Sequence, residues 1–350
     1  MDAPLEIRRA RRPALPGWPF ALLALAAAVV VAANSGAMDL GWADWQALMR
    51  GEASQGAQVL AQLRLPRVAF AVVVGASLGL AGALSQGLFR NPLADPSLLG
   101  IPGGAICAVA LVLTVLSTWA GGLPAVWRPF VVPGAALAGA WLMCGLLQGV
   151  ARWLAPGAVA GLLLSGLALN ALAMAVVGLC TYLATDEQLR NLTFWQLGSL
   201  ALANWPVVAV LAAGVAAVLG LSARWGQALN ALALGEAVAA QVGVPVARLR
   251  RGLVLALAGL SGLAVAWCGL IGFIGLLAPH AARGLVGADA RRVLPVSAWF
   301  GALLLLLADT VARTLVVPAE LPVGILTALL GAPVLFVLLR RAQRDVGGGW

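Results

Sequence analysis

Long apolar runs, separated by short polar segments, extend along almost the whole chain. A helix that crosses the ~30 Å hydrocarbon core of a bilayer needs roughly 20 apolar residues, because each residue adds about 1.5 Å. The runs are too continuous for the alternating strands of a membrane β-barrel. The pattern predicts one all-α, polytopic membrane domain over residues 1–350, with about ten spans at 18–36, 66–88, 98–118, 131–151, 158–183, 203–221, 252–268, 270–286, 294–316 and 323–341.

One polar-flecked segment, residues 222–251, interrupts this pattern between the sixth and seventh predicted spans. Structureless connections of about 30 residues are uncommon and are often functional. Leu229, Leu232 and Ala233 have the i, i+3, i+4 spacing of one helix face, which can pack into a groove of a partner. Gly235 and Gly243 permit the turns that end short helices. The segment is a candidate docking element for a soluble partner; the alternative is a solvated loop without one.

The charge of the chain follows the predicted spans. The sequence is 62% apolar and 10% charged, and all 22 of its basic residues are arginines, which give a net charge of +9. If the N-terminus is inside, only six arginines fall in outer segments, and the other 16 of the 22 are inner. Since positive charge accumulates on the cytoplasmic side of membrane proteins, both termini are predicted to be cytoplasmic. The charge therefore reflects orientation in the membrane and gives no reason to expect nucleic-acid binding.

The N-terminus is similar to a secretory signal peptide. Arg8, Arg9, Arg11 and Arg12 precede an apolar stretch over residues 18–33. Because this stretch is long and further spans follow it, we expect an uncleaved first span.

Few residues offer metal-binding or catalytic chemistry. Cys107, Cys144, Cys180 and Cys268 lie far apart within apolar runs and have no metal-ligand spacing, so we expect them to be buried as small apolar groups. His280 is the only histidine and could ligate haem iron. Its predicted place at the cytoplasmic end of the eighth span favours a structural role. We therefore predict neither a metal site nor a catalytic site.

Six motifs occur along the chain. They are Arg64-Leu65-Pro66-Arg67; QGLFRNPLADP at 86–96, continuing to Leu99-Gly100; Leu234-Gly235-Glu236; GLIGFIGLLAPH at 269–280, with Arg283 and Gly287; ADTVAR at 308–313; and ELPVG at 320–324, followed by Gly331-Ala332-Pro333. In this order they resemble the FecCD family of ABC-transporter permeases, the membrane subunits of importers for vitamin B12, ferric siderophores and haem. The resemblance covers nearly all of the chain after about residue 60.

The resemblance implies a type II ABC importer in the bacterial inner membrane. It implies a homodimer of ten-helix subunits, surrounded by lipid, with two cytoplasmic ATPase subunits below and a periplasmic substrate-binding protein above. ATP and Mg²⁺ would bind to the ATPases, and this chain would hold no cofactor of its own. A chain without lysine cannot contain the GxxxxGK[ST] phosphate loop, so ATP hydrolysis must belong to another subunit.

The resemblance also implies roles for particular residues. Segment 222–251 would form coupling helices that contact the ATPases, with Leu232, Leu234, Gly235, Glu236, Gln241 and Gly243 as the candidate contacts. In the B12-importer branch, arginines that match Arg64, Arg67 and Arg313 pair with glutamates of the binding protein. The alternative for these arginines is snorkelling to lipid headgroups.

Asp309 and Arg313 lie four residues apart and can meet on one helix. An ionisable residue inside a span is a functional candidate by default. Here a local ion pair that neutralises the outer half of the ninth span is the stronger expectation, since we find no further acids for a proton relay.

The outer segment 182–199 is similar to that of haem permeases, through Asp186 and Leu189-Arg190 before Phe194-Trp195. Arg190 could bind a haem propionate, because arginine suits carboxylates, or it could cap a helix or pair with Asp186. Asn170 is a candidate for the wall of the substrate path by the same resemblance. We therefore expect haem as the substrate, with a ferric siderophore or cobalamin as the alternatives.

Two other classes of protein are disfavoured. An ion-coupled secondary transporter would need acids at mid-membrane or an ion-coordinating broken helix, and neither is evident. A membrane enzyme would need clustered histidine, aspartate or cysteine, and the chain has one histidine and scattered acids.

Overall fold

The computed structural model describes residues 17–154, 159–316 and 319–347, which form helices and turns without a strand in these ranges. The helices of the first half are α1 (Trp18–Asn34), α2 (Trp42–Arg50), α3 (Gln55–Val59), α4 (Leu65–Phe89), α5 (Ile101–Leu113), α6 (Ser117–Gly122), α7 (Arg128–Leu154) and α8 (Val159–Leu183). Those of the second half are α9 (Asp186–Leu197), α10 (Trp205–Ala233), α11 (Glu236–Gln241), α12 (Val246–Cys268), α13 (Ile274–Val286), α14 (Ala290–Thr314) and α15 (Val323–Gly347). The predicted signal-like arginines, Arg8 to Arg12, lie outside the described residues.

The all-α class is confirmed for the described residues. Six helical segments are long and apolar enough to cross a membrane: Gln55–Phe89, Arg128–Leu154, Gly161–Leu183, Trp205–Ala233, Val246–Cys268 and Ala290–Thr314. Each of the ten predicted spans contains a helix, but α5 and α13 have only 13 residues each, about 20 Å. The number of ten spans therefore stays a prediction.

Three predicted boundaries differ from the structure. The predicted outer loop 37–65 contains α2, α3 and the π-helical turn Leu60–Arg64, which runs directly into α4. The predicted outer loop 184–202 contains α9, which begins at a capping box: the Thr185 hydroxyl accepts from the Gln188 backbone, and the Gln188 side chain accepts from the Thr185 backbone. The helix of the sixth predicted span, α10, continues to Ala233, twelve residues beyond the predicted end of that span at 221.

The core is centred on α4, which packs most extensively against α14. The two backbones approach closely at glycines. A Cβ added to Gly75 would lie 2.2 Å from the Gly301 carbonyl oxygen, and one added to Gly79 would lie 2.2 Å from the Ser297 oxygen. Small residues allow this approach in membrane helices, where packing replaces the hydrophobic effect as the driving force. The contact holds α4 and α14 together as one unit.

We expect Gly75→Ala to destabilise the bundle by about 1–3 kcal/mol, because α14 must move away to admit the methyl group. The measurement is thermal unfolding of the purified protein in detergent. Gly145→Ala in α7 is the matched control, since nothing lies within 4 Å of the added carbon, and alanine favours a helix over glycine. Equal melting temperatures for the two variants would contradict the close α4–α14 contact.

Candidate functional site

A cluster of five charged residues joins α4, α14 and the segment before α15. The guanidinium of Arg67, on α4, donates to Asp309 Oδ1 from Nε (3.1 Å) and Nη2 (2.8 Å). Its Nη1 donates to both oxygens of Glu320, at 2.9 and 2.8 Å. Asp309 is fully buried, whereas the Glu320 side chain is 47% exposed. Arg67 therefore connects a buried acid of α14 to an acid at the surface.

The other two arginines of the cluster hold the C-terminal end of α1. Arg64 donates to the carbonyls of Ala33 (3.0 Å) and Asn34 (2.8 Å), and also to that of Met38. Arg313 donates to the carbonyls of Ser35 (2.5 Å) and Ala32. The last carbonyls of a helix lack partners within the helix and carry partial negative charge, so two cations stabilise this end.

These contacts bear on the predicted roles of the arginines. The local ion pair between Asp309 and Arg313 is present, with Nε and Oδ2 3.4 Å apart, but Arg67 makes the shorter contact with Asp309. Arg64 and Arg313 are only 6% and 8% exposed, which favours a structural role for them over lipid snorkelling. Docking of a binding protein through these three arginines stays a prediction, and Arg67 is the one whose contacts extend to the surface. Glu320, its surface partner, belongs to the ELPVG motif, to which the sequence assigned no role.

A second region lies at the opposite end of the α4–α14 pair. It consists of α10, α11 and α12, which are joined by two short turns. Two of its leucines differ from the prediction: Leu229 and Leu232 are 2% and 4% exposed and belong to the core of this chain. This burial, with Leu229 against Gly87 of α4, argues against a direct contact with a partner, because α10 continues to Ala233; the predicted role of Leu232 in coupling stays a prediction. Within 222–251, the exposed large apolar side chains are instead Leu234, Val238 and Val242.

The turns of this unit are well defined. Gly235 and Gly243 have φ values of +119° and +86°, where a side chain would be strained, as expected for glycines that end short helices. Glu236 accepts from Arg250 at 2.7 Å and thereby ties α11 to α12, while Gln241 is exposed. We call this braced unit of α10, α11 and α12 the hairpin, and its exposed residues Leu234, Val238 and Val242 the hairpin surface.

The candidates for a substrate path lie apart from both regions. The Asn170 amide covers Gly103 of α5, where an added Cβ would meet Asn170 Oδ1 at 2.1 Å. Arg190 is exposed on α9 and makes no ion pair with Asp186 among the described residues; the cap of this helix is Thr185. Beside it, a cavity of about 660 Å³ lies between α5, α7 and α9 and is lined by Arg128, Glu187, Gln188 and Asn191, among others.

The chemistry of the described residues is not that of a metal centre. Among them, no group of three or more histidine, cysteine, aspartate or glutamate side chains could hold a metal ion. Cys144, Cys180 and Cys268 are buried and Cys107 is half-buried, all as free thiols, while His280 is exposed on α13.

Residues 23–341 match the model of the FecCD transport family. The chain belongs to this family. It is 41% identical over 329 residues to the hemin transport system permease protein HmuU of Yersinia pestis, covering 94% of this chain and 96% of that protein. It is 42% identical over 322 residues to the vitamin B12 import system permease protein BtuC of Serratia proteamaculans, covering 92% of each.

A solved structure agrees with this membership, and a second shares the fold. The FecCD chain superposes on an inward-facing ABC transporter of the metal-chelate type with a TM-score of 0.78 and 32% identity, over 92% of this chain and 98% of that one. PsaBC of Streptococcus pneumoniae shares the fold at a TM-score of 0.53 and 17% identity. The FecCD chain is therefore the permease subunit of an ABC importer, a multi-pass protein of the bacterial inner membrane. It is a transport subunit and not an enzyme, and the ATPase is a separate subunit.

Proposed function

We propose that this permease moves haem from the periplasm to the cytoplasm by alternating access. The observation that carries the substrate is the similarity to a hemin permease over 94% of the chain. Exposed Arg190 supports it, because a guanidinium can donate two parallel hydrogen bonds to a propionate carboxylate. Relatives that import vitamin B12 match equally well, so cobalamin is the specific alternative, followed by a ferric siderophore.

The proposed complex contains two copies of this chain, two ATPase subunits with ATP and Mg²⁺, and a periplasmic binding protein. Each copy would have ten spans with both termini in the cytoplasm. This orientation puts the hairpin of α10, α11 and α12 on the cytoplasmic side, where Leu234, Val238 and Val242 would enter a groove of the ATPase, with Gln241 at the edge of the contact. Closure of the ATPases would then move a braced hairpin and not a loose loop.

The same orientation puts the charged cluster on the periplasmic side. There a glutamate of the binding protein would replace Glu320 as the partner of Arg67, because Glu320 is the exposed member of the cluster. The two copies of Arg67 in a homodimer would face the two lobes of the binding protein. Such contacts at a rim guide encounter and register more than they add affinity.

The substrate is tested by reconstituting the chain with its ATPase and binding protein in lipid vesicles. We expect ATP-dependent uptake of haem, and Arg190→Gln should raise the KM for haem several-fold. Arg50→Gln is the matched control, because Arg50 is also an exposed arginine outside the spans. Uptake of cobalamin or a ferric siderophore without uptake of haem would overturn the haem proposal. Uptake driven by an ion gradient without ATP would instead support the secondary-transporter alternative.

A further inference from the structure

Asn230 joins the cytoplasmic end of α10 to the beginning of α14. Its Nδ2 donates to Asp289 Oδ1 at 2.7 Å, and its Oδ1 accepts from the backbone nitrogen of Ala290 at 2.8 Å. Both halves of one amide are thus committed to the N-terminal end of α14. The exposed surface that begins at Leu234 lies only four residues further along the chain.

The surroundings of Asn230 leave this joint little freedom. One turn earlier, a Cβ on Gly226 would lie 2.7 Å from the Arg291 Cα, so α10 touches the α14 backbone directly. The side chain of Leu229 covers Gly87 of α4. Asp289 accepts from Arg291 Nη2 at 2.8 Å and from its Nε at 3.1 Å. These hydrogen bonds, with that of Asn230, hold the pKa of Asp289 well below its usual range, so this carboxylate stays charged at neutral pH.

α14 is one continuous helix that connects the Asn230 contact with the charged cluster around Arg67. Its 25 residues span about 37 Å. The first turn carries the contact with Asn230, and the last turns carry Asp309 and Arg313, which belong to the charged cluster. Between these ends, the glycine contacts with α4 prevent α14 from sliding independently. A displacement of the end of α10 therefore has a continuous, tightly packed route to the cluster.

We propose that Asn230 is a positioning residue that makes the cytoplasmic end of α10 and helix α14 move together. Through this residue, movement of the hairpin surface Leu234, Val238 and Val242 reaches α14. The proposal rests on the proposed function, since it needs an ATPase that pushes on this hairpin. Coupling between two residues is measured by changing each of them alone and then both together, and the pair Asn230–Asp289 is suited to this test.

Asn230→Asp puts two carboxylates against each other and breaks the joint. In reconstituted transporters we expect ATP hydrolysis to persist while substrate uptake per ATP falls at least fivefold. Adding Asp289→Asn should restore the ratio. The carboxylate introduced at position 230 can then accept from both the Ala290 nitrogen and the new amide nitrogen at position 289, while the amide oxygen at 289, in the place of Oδ2, accepts from Arg291 Nη2.

Asn204→Ala is the matched control. Asn204 caps the opposite end of α10, where its Oδ1 accepts from the Val207 nitrogen at 3.1 Å and its Nδ2 donates to the Leu202 carbonyl at 3.2 Å, so neither hydrogen bond reaches α14. A purely structural role for Asn230 would lower hydrolysis and uptake in equal proportion, as loss of a cap does. That result, or failure of the double variant to recover uptake per ATP, would overturn the proposal. If the unmodified transporter shows no ATP-driven uptake of any substrate, the proposed function itself fails, and this inference fails with it.

Discussion

Leu234→Asp should separate the permease from its ATPase while leaving the helical bundle folded. Leu234 is 73% exposed directly after α10, so a carboxylate at this position costs the isolated chain little. In a partner groove, however, the same carboxylate would be buried without a counterion. Loss of a central apolar contact costs an interface about 2 kcal/mol or more, which corresponds to about thirty-fold weaker binding. The measurement is co-purification of the ATPase with the tagged permease, followed by transport in vesicles.

Two variants make this result specific. Leu234→Met conserves volume and hydrophobicity and should retain the ATPase. Leu232→Asp, two residues earlier, should instead reduce the amount of folded permease, because Leu232 is 4% exposed within the core. If Leu234→Asp retained the ATPase and full transport, the hairpin surface would not be the coupling contact.

The sequence determines the helical class and the approximate positions of the long spans, since continuous apolar runs leave lipid-facing backbone no alternative to helix. It does not reveal where α10 ends. Residues 222–233 are more polar than the preceding part of α10, yet they continue the same helix. A rise in polarity along the sequence therefore does not indicate the end of this helix. For this reason the sequence predicts a partner contact for Leu229 and Leu232, whereas Leu229 packs against Gly87 of α4 and Leu232 is buried in the core.

The charged cluster shows the same limit in another form. Asp309 and Arg313 could be paired from their spacing, because both lie on one helix. Arg67 and Glu320 lie 253 positions apart. The packing of α4 against α14, and the hydrogen bond from the Leu321 nitrogen to the Ala312 carbonyl that holds the next segment on α14, bring them together. The α9 helix is a different case, because its Thr185–Gln188 capping box was legible in the sequence. The beginning of α9 was thus predictable from neighbouring residues, whereas no local pattern predicts the contact between Arg67 and Glu320.

Asp309→Asn should destabilise the permease far more than the loss of one surface ion pair. The substitution keeps the shape of the side chain, so packing is preserved, but it removes the fully buried carboxylate that pairs with both Arg67 and Arg313. Arg67 and Arg313 then face each other with only the exposed Glu320 to offset them. Breaking a buried ion pair by removing one partner costs about 3–5 kcal/mol. We expect the melting temperature in detergent to fall by on the order of 10 °C.

Glu320→Gln provides the comparison within the same cluster. It removes the same unit of negative charge from Arg67, but at a side chain that is 47% exposed, where water screens the remaining cation. A pair of this kind contributes about 0–1 kcal/mol, so the melting temperature should change by only a few degrees. Equal effects of the two substitutions would mean that burial of Asp309 is not what stabilises this end of the bundle. A large effect of Asp309→Asn alone places the stabilising contact between α4 and α14, and leaves Glu320 as the member of the cluster that a partner can displace without unfolding the permease.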